Sequence, residues 1–289
     1  MRDLFDFNQK KDFYAVLGNP VSHSLSPYIH RQFALQCRQT LQYETIQVDP
    51  GGFVQAVGNF VAGGGKGFNI TVPFKRDAWE LCDERSERSQ IAGAVNSILV
   101  GKNDKLSGDN TDGVGLIQDL TGNLGVTLKH KRILILGAGG AVRGILQPLL
   151  AQNPHLVWVA NRTPSKAQSL AQEFTVFGEI IGSSYGNFEG ENFDLIINAT
   201  SASLHQALPG LAEQVIHPAA VCYDMMYGAN ATLFMLWASR CGAATVHDGL
   251  GMLVEQAAEA FARWRGVRPE TGSVLNDLRQ HLTQKAKIR

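Results

Sequence analysis

Short apolar runs and helically spaced apolar positions take turns along this chain. Phe13 to Leu17 is an apolar run that stops at Gly18-Asn19-Pro20, and from Pro27 to Cys37 helical spacing puts Ile29, Phe33 and Cys37 on one face. Gln42 to Val48 reads as a strand, Phe53 to Val61 as a short helix before Gly63-Gly64-Gly65, and Gly67 to Val72 as a second strand core. Such alternation predicts an α/β layered architecture with a largely parallel sheet. A polar break at Gly108-Asp109-Asn110-Thr111-Asp112-Gly113 precedes an expected linker helix over Val114 to Leu120. The pattern then restarts, with strands expected at Arg132 to Leu136, Leu156 to Ala160, Leu195 to Ala199 and Ala220 to Tyr223 and helices between them. Beyond Gly249 it changes to two helices, Leu250 to Trp264 and roughly Thr271 to Lys285.

Composition narrows the class. Of 289 residues, 26 are Lys or Arg and 26 are Asp or Glu, so the net charge is 26 − 26 = 0. Neutrality gives no long-range pull on polyanions, which argues against nucleic acid as a partner. Only the tail leans basic, through Arg279, Lys285, Lys287 and Arg289, and it reads as a solvated helix end. Cys37, Cys82, Cys222 and Cys241 form no CxxC pair and lie in apolar segments. A reducing, cytoplasmic setting is therefore expected rather than a disulfide scaffold or a zinc site. No apolar run has the length of a membrane span, and Met1 to Phe13 lacks the apolar core of a signal peptide. No His/Cys/Asp spacing suggests a metal ligand set.

The apolar strand Ile133 to Leu136 runs into Gly137-Ala138-Gly139-Gly140-Ala141-Val142-Arg143-Gly144, where a helix is expected to begin. Glycines at such a turn let the backbone approach a ligand, and the helix start offers free N–H groups to a pyrophosphate. The match to the GxGxxG fingerprint is imperfect, because Val142 stands at its third glycine position. After the next strand come Asn161-Arg162-Thr163-Pro164-Ser165-Lys166, with no acid to hold the ribose of NAD. Arg162, Thr163 and Lys166 offer cations and a hydroxyl to a 2′-phosphate instead, which favours NADP. Thr200 and Ser201, closing a third strand, are small polar residues on the cofactor side of such a sheet.

Four further polar clusters close strands or open helices: Ser22 to Pro27, Asn69 to Lys75, Ala94 to Asn96 and Asn110 to Asp112. Each by itself is explained by turn chemistry or helix capping, and Ser26 before Pro27 has the form of an N-cap followed by proline. Together, at the edges of an α/β sheet, they are expected to converge on one cleft. The strings GNPVSHSLSP (18–27), NITVPFK (69–75), AGAVNS (92–97), GDNTDGVG (108–115), GAGGAVRG (137–144), NRTPSKA (161–167), NATS (198–201), YDMMY (223–227) and DGLGMLVEQAA (248–258) span nearly the whole chain. In this order the sequence resembles the shikimate dehydrogenases, NADP-dependent enzymes of aromatic biosynthesis.

The resemblance implies two α/β domains: a substrate-binding, catalytic domain over 1–111 and 248–289, and a Rossmann-type NADP-binding domain over 112–247. The C-terminal helices are thereby expected to return to the first domain. It implies that Ser24 and Ser26, helped by Tyr227, hold the substrate carboxylate, and that Thr71, Asn96, Asp112 and Gln256 hydrogen-bond the ring hydroxyls. Lys75 is implied as the catalytic lysine with Asp112 as its partner. Glu87, the turn Gly137, Ala138, Gly139, Gly140 and Ala141, the segment Asn161 to Lys166, Met225 and Gly249 are implied on the cofactor side. The expected reaction is 3-dehydroshikimate + NADPH + H⁺ ⇌ shikimate + NADP⁺, run by a monomer or homodimer whose partner is a small molecule. His23, His247 and Asp248 read as loop-forming residues. Ser203 and Leu233 depart from the family's usual Gly and Pro, which bears on loop shape at the cofactor side. An NAD-using quinate/shikimate dehydrogenase and a dinucleotide-binding regulator without turnover are the alternatives. The missing acid weighs against the first, and the presence of Lys75 and Asp112 against the second.

Overall fold

The structure, a computed structural model, describes residues 11–188, 190–200 and 215–287. The chain divides into two compact units, Met1–Thr111 with Ala257–Val274, and Asp112–Gln256 with Leu275–Arg289.

The first unit runs through β1 (Asp12–Gly18), α1 (Ser26–Gln36), β2 (Leu41–Gln47), α2 (Phe53–Ala62), β3 (Gly65–Ile70), α3 (Lys75–Leu81), β4 (Glu84–Arg85), α4 (Glu87–Ala92), β5 (Ser97–Val100) and β6 (Leu106–Asp109). Its six-stranded sheet has the order β2-β1-β3-β5-β6-β4. β1 lies parallel to β2 and β3, and β4 to β6, but β5 is antiparallel to both its neighbours. The sheet is thus largely parallel, as expected, with β5 the antiparallel strand. Only Gly101 to Lys105 link β5 to β6, and so short a link joins antiparallel strands. Successive residues of β1 face opposite ways. Ala15 and Leu17 enter the core with Phe53, Phe60, Phe68 and Phe74, whereas Tyr14 packs on the far side with Ala260 and Trp264.

The second unit begins with α5 (Asp112–Gln118), which continues as a π-helical turn over Asp119–Asn123. There follow β7 (Arg132–Leu136), α6 (Gly140–Leu150), β8 (Leu156–Ala160), α7 (Pro164–Phe174), β9 (Ile180–Ser183), β10 (Phe193–Asn198), β11 (Ile216–Asp224), α8 (Leu233–Arg240) and β12 (Thr245–Asp248). Two long helices close the chain, α9 (Leu250–Arg265) and α10 (Gly272–Lys287). The sheet order is β12-β11-β10-β7-β8-β9 with every pairing parallel. Taken in chain order this is the doubly wound 3-2-1-4-5-6 arrangement, whose ligand crevice opens at strand carboxyl ends where the winding reverses, here between β7 and β10. α6 buries Val142, Ile145, Leu146 and Leu149, the helical spacing that seats it on the sheet.

Several expectations need correction. The C-terminal segment 248–289 does not stay whole. Ala257–Val274 belongs to the first unit, but from Leu275 onward α10 belongs to the second, where Arg279 forks onto Asp248 at 2.5 and 2.7 Å. Arg279 is exposed, as expected of a solvated helix end, but is also paired with Asp248, and His247 and Asp248 end strand β12 rather than shape a loop. Ser26 is the first residue of α1 and not its cap. Leu25 takes the cap position without a side-chain bond, and the Ser26 N–H donates to Ser24 Oγ at 3.2 Å. The cysteines are free thiols, and burial pushes Cys82 and Cys222 up to about 12. No helix among the described residues is long and apolar enough to cross a membrane.

Candidate functional site

In the first unit the ends of β1 and β3 are laced together. Thr71 N–H donates to Leu17 O at 2.9 Å and Asn19 N–H to Val72 O at 3.0 Å. The approach needs glycine at 18, since a Cβ there would lie 2.3 Å from Thr71 Cγ2. This brings the serine loop and the Thr71-to-Lys75 loop to one sheet edge. From Ser26 a chain of polar contacts runs inward. Burial pushes the Tyr43 phenol well above its usual range, and a hydrogen bond with Ser26 opposes that rise. Tyr43 Oη donates to Asn69 Oδ1 at 2.7 Å, and Asn69 Nδ2 donates to Asn96 O at 3.2 Å. Asn96 Nδ2 donates to Thr111 Oγ1 at 3.0 Å, while Thr111 N–H donates back to Asn96 Oδ1 at 2.8 Å. Thr111 closes this run of the first unit, and Asp112, the next residue, begins the second. Lys75 opens α3 half-buried, and its carbonyl accepts the Val95 N–H at 2.8 Å, next to Asn96.

An ionic clamp not read from the sequence lies behind this network. Asp109 is fully buried. Arg88 reaches it with two nitrogens at 2.7 and 2.5 Å, Ser86 Oγ donates at 2.5 Å, and Arg263 stands at 3.1 Å. Burial alone would raise the Asp109 carboxyl, but these partners outweigh it and hold it below the usual carboxylate range. The Asp109 carbonyl accepts the Asn96 N–H at 3.0 Å, and its Oδ1 accepts the Asn110 N–H at 2.8 Å. Asp109 lies within the quoted GDNTDGVG string, but its role depends on arginines from α4 and α9. Glu87, expected beside the cofactor, stands exposed in the first turn of α4.

In the second unit the strand ends after β7, β10 and β11 form the crevice. Gly137 has φ +111° and a Cβ there would meet Ala199 O at 3.2 Å. Cβ atoms at Gly139 and Gly140 would meet nothing within 4 Å. The turn therefore offers bare backbone on an open side, which fits a pyrophosphate at the start of α6. Asn198 Oδ1 accepts from Thr200 N–H and Oγ1, and Asn198 Nδ2 donates to Asp224 Oδ1 at 3.0 Å. Asp224 also accepts from Met226 N–H at 3.0 Å and Thr232 Oγ1 at 2.6 Å. Thr232 caps α8 through Met235 N–H, so Leu233 in place of proline leaves that cap intact. Met225 and Gly249 touch: a Cβ on Gly249 would stand 2.3 Å from Met225 O. Gln256 packs against Gly115, and its Nε2 donates to Leu253 O at 2.9 Å. Asp112 is buried at the head of α5. Burial, then the Asp248 charge, raises the half-buried Tyr227 phenol.

Asn161 Nδ2 donates to Thr163 O at 3.0 Å and shapes the turn into α7, where Thr163, Pro164, Ser165 and Lys166 are exposed. Arg162 is exposed beside Tyr185. A cleft of about 280 Å³ between α6 and α7 is lined by Ala138, Ser165 and Lys166 together with Arg143, which the sequence reading had not assigned. A cation inside a glycine turn was the available signal. Ser201 and Ser203 lie outside the described residues. Among the described residues no cluster of His, Cys, Asp or Glu could hold a metal ion.

Family models cover both units. The shikimate dehydrogenase substrate binding domain matches residues 16–98, shikimate/quinate 5-dehydrogenase residues 119–224, and the shikimate 5′-dehydrogenase C-terminal domain residues 249–279. A shikimate dehydrogenase (NADP(+)) of Cellvibrio japonicus is 51% identical over 95% of this chain and 99% of its own. The crystal structure of an Ael1 enzyme from Pseudomonas putida is 47% identical, with a TM-score of 0.88 over 93% of this chain and 98% of that one. Shikimate 5-dehydrogenase from Thermus thermophilus, in complex with NADP(H) and shikimate, is 32% identical with a TM-score of 0.82 over 93% and 99%. With models matched in both units and a relative at this identity along almost its full length, the chain belongs to the shikimate dehydrogenase family.

Proposed function

We propose that this chain catalyses the reversible, NADPH-dependent reduction of 3-dehydroshikimate to shikimate. The observation that carries the reading is the family match across both units, joined to a polar network in the first unit, Ser26–Tyr43–Asn69–Asn96–Thr111. Ser24 and Ser26 with Tyr227 bind the substrate carboxylate, and Thr71, Asn96, Asp112 and Gln256 orient the ring hydroxyls. Residues 137–141, Asn161 to Lys166, Thr200, Ser201, Met225, Gly249 and Glu87 form the cofactor side. When bound, the nicotinamide cofactor supplies the hydride. As negative charge grows on the substrate oxygen, the Lys75 ammonium donates the proton, and Asp112 serves as its charged partner. In the reverse direction neutral Lys75 accepts the hydroxyl proton. The same reading makes the protein a cytoplasmic monomer or homodimer with small-molecule partners.

The test is nicotinamide absorbance with purified protein, shikimate or quinate, and NADP⁺ or NAD⁺ in turn. Turnover with shikimate and NADP⁺ should dominate. Lys75→Ala should lower kcat by about 10²–10⁴-fold with cofactor affinity little changed. Near-normal turnover in that variant would remove Lys75 from its role.

A further inference from the structure

The cleft between α6 and α7 holds more charge than its sequence motif suggests. Arg143 and Lys166 line it with Ser165 and Ser169, and Glu173 stands on its wall. Arg143 Nη2 is paired with Glu173 Oε2 at 2.5 Å, and its guanidinium carbon lies 5.8 Å from the Phe174 ring centroid. The pair is not locked away: the two side chains are 32% and 50% exposed. Exposed ion pairs contribute little and exchange readily for a stronger partner. Two cations against one carboxylate leave the cleft one positive charge in excess. A phosphomonoester near neutral pH carries about −1.5 to −2 charge and three acceptor oxygens, more than Glu173 can offer a guanidinium. Arg143 belongs to α6 and Lys166 to α7, so an anion in this cleft would draw one cation from each helix.

We propose that Arg143 is a specificity residue for the 2′-phosphate of the dinucleotide, held by Glu173 until the phosphate takes its place. This rests on the NADP reading above and adds a residue pair to it. A dinucleotide without the phosphate leaves the Arg143–Glu173 pair intact and gains nothing from Arg143. Glu173 therefore acts as a competitor for the guanidinium, moderating affinity for the phosphorylated cofactor without touching the unphosphorylated one.

Calorimetric titration with adenosine 2′,5′-bisphosphate and with adenosine 5′-monophosphate, on the full chain and without turnover, reads this directly. Arg143→Gln should weaken the bisphosphate about tenfold or more, the usual loss for a charge-assisted bond, and leave the monophosphate unchanged. Glu173→Gln should tighten the bisphosphate, and the double variant should bind like Arg143→Gln alone. Bisphosphate binding by Arg143→Gln equal to the unmodified chain, or weakened rather than tightened binding by Glu173→Gln, would overturn the proposal. If the unmodified chain does not prefer the bisphosphate at all, the NADP reading itself fails. A preference that survives Arg143→Gln sinks only the role of Arg143.

Discussion

His30 offers a quantitative handle on the first unit. Its ring is fully buried and stacks on Tyr43 at 4.3 Å between centroids and 7° between planes, with Trp264 at 5.1 Å. Among the described residues neither ring nitrogen has a well-aligned hydrogen-bond partner. Burial lowers its pKa from 6.5 to about 3, and the neighbouring Asn69 offsets this only in part. The unfolded chain takes up the proton below 6.5, whereas the folded chain resists it until about 3. The contribution to stability is therefore complete above 6.5 and drains away as the pH falls toward 3. The slope is ~1.4 kcal/mol per pH unit, so lowering the pH from about 7 to about 5 removes ~2 kcal/mol through this residue. His30→Phe keeps an aromatic ring in the stack and removes the titration. Urea unfolding followed by tryptophan fluorescence at both pH values should show the unmodified chain losing ~2 kcal/mol more than the variant. Carboxylates common to both proteins cancel in this difference, as does any baseline change from the bulkier ring. Equal losses in the two proteins would refute the reasoning.

Asp109→Ala leaves Arg88 and Arg263 facing an empty buried position and should cost ~3–5 kcal/mol, seen as a lowered urea midpoint. Gly249→Ala pushes a methyl group to within 2.3 Å of the Met225 carbonyl, so the backbone on the cofactor side must shift. Titration should show weaker NADPH binding in that variant, with the far-ultraviolet circular dichroism unchanged. Timed alkylation near neutral pH, read by peptide mass spectrometry, should label Cys37 and Cys241 before Cys82 and Cys222, whose buried thiols are held near 12.

The continuous apolar run Ile133 to Leu136, which marks a strand buried on both faces, and the helical spacing in α6, which marks one buried face, needed no neighbours to be legible. The short elements β4, β5, β6, α3 and α4 carry no period of their own. Their form comes from partners such as Asp109 and the neighbouring strands, so the mixed character of the first sheet emerged only in three dimensions. The candidate site divides in the same way. Ser24, Ser26, Thr71, Lys75, Asn96 and Asp112 stood out as polar residues at strand and helix ends. The groups that brace them did not: Tyr43 beneath Ser26 and the Arg88–Asp109–Arg263 clamp.

By itself the sequence determined the α/β class, the glycine turn after β7, the absence of an acid directly after β8, and the family. These are properties of local spacing and residue chemistry. Tertiary structure alone decided that Arg279 belongs to Asp248, that α10 joins the second unit from Leu275 onward, and that Ser26 begins a helix rather than capping it. The physical reason is that a charge or a helix end takes the partner that folding brings within about 3 Å. Residues such as Arg263 and Asp109 are far apart along the chain, so their pairing leaves no trace in local pattern.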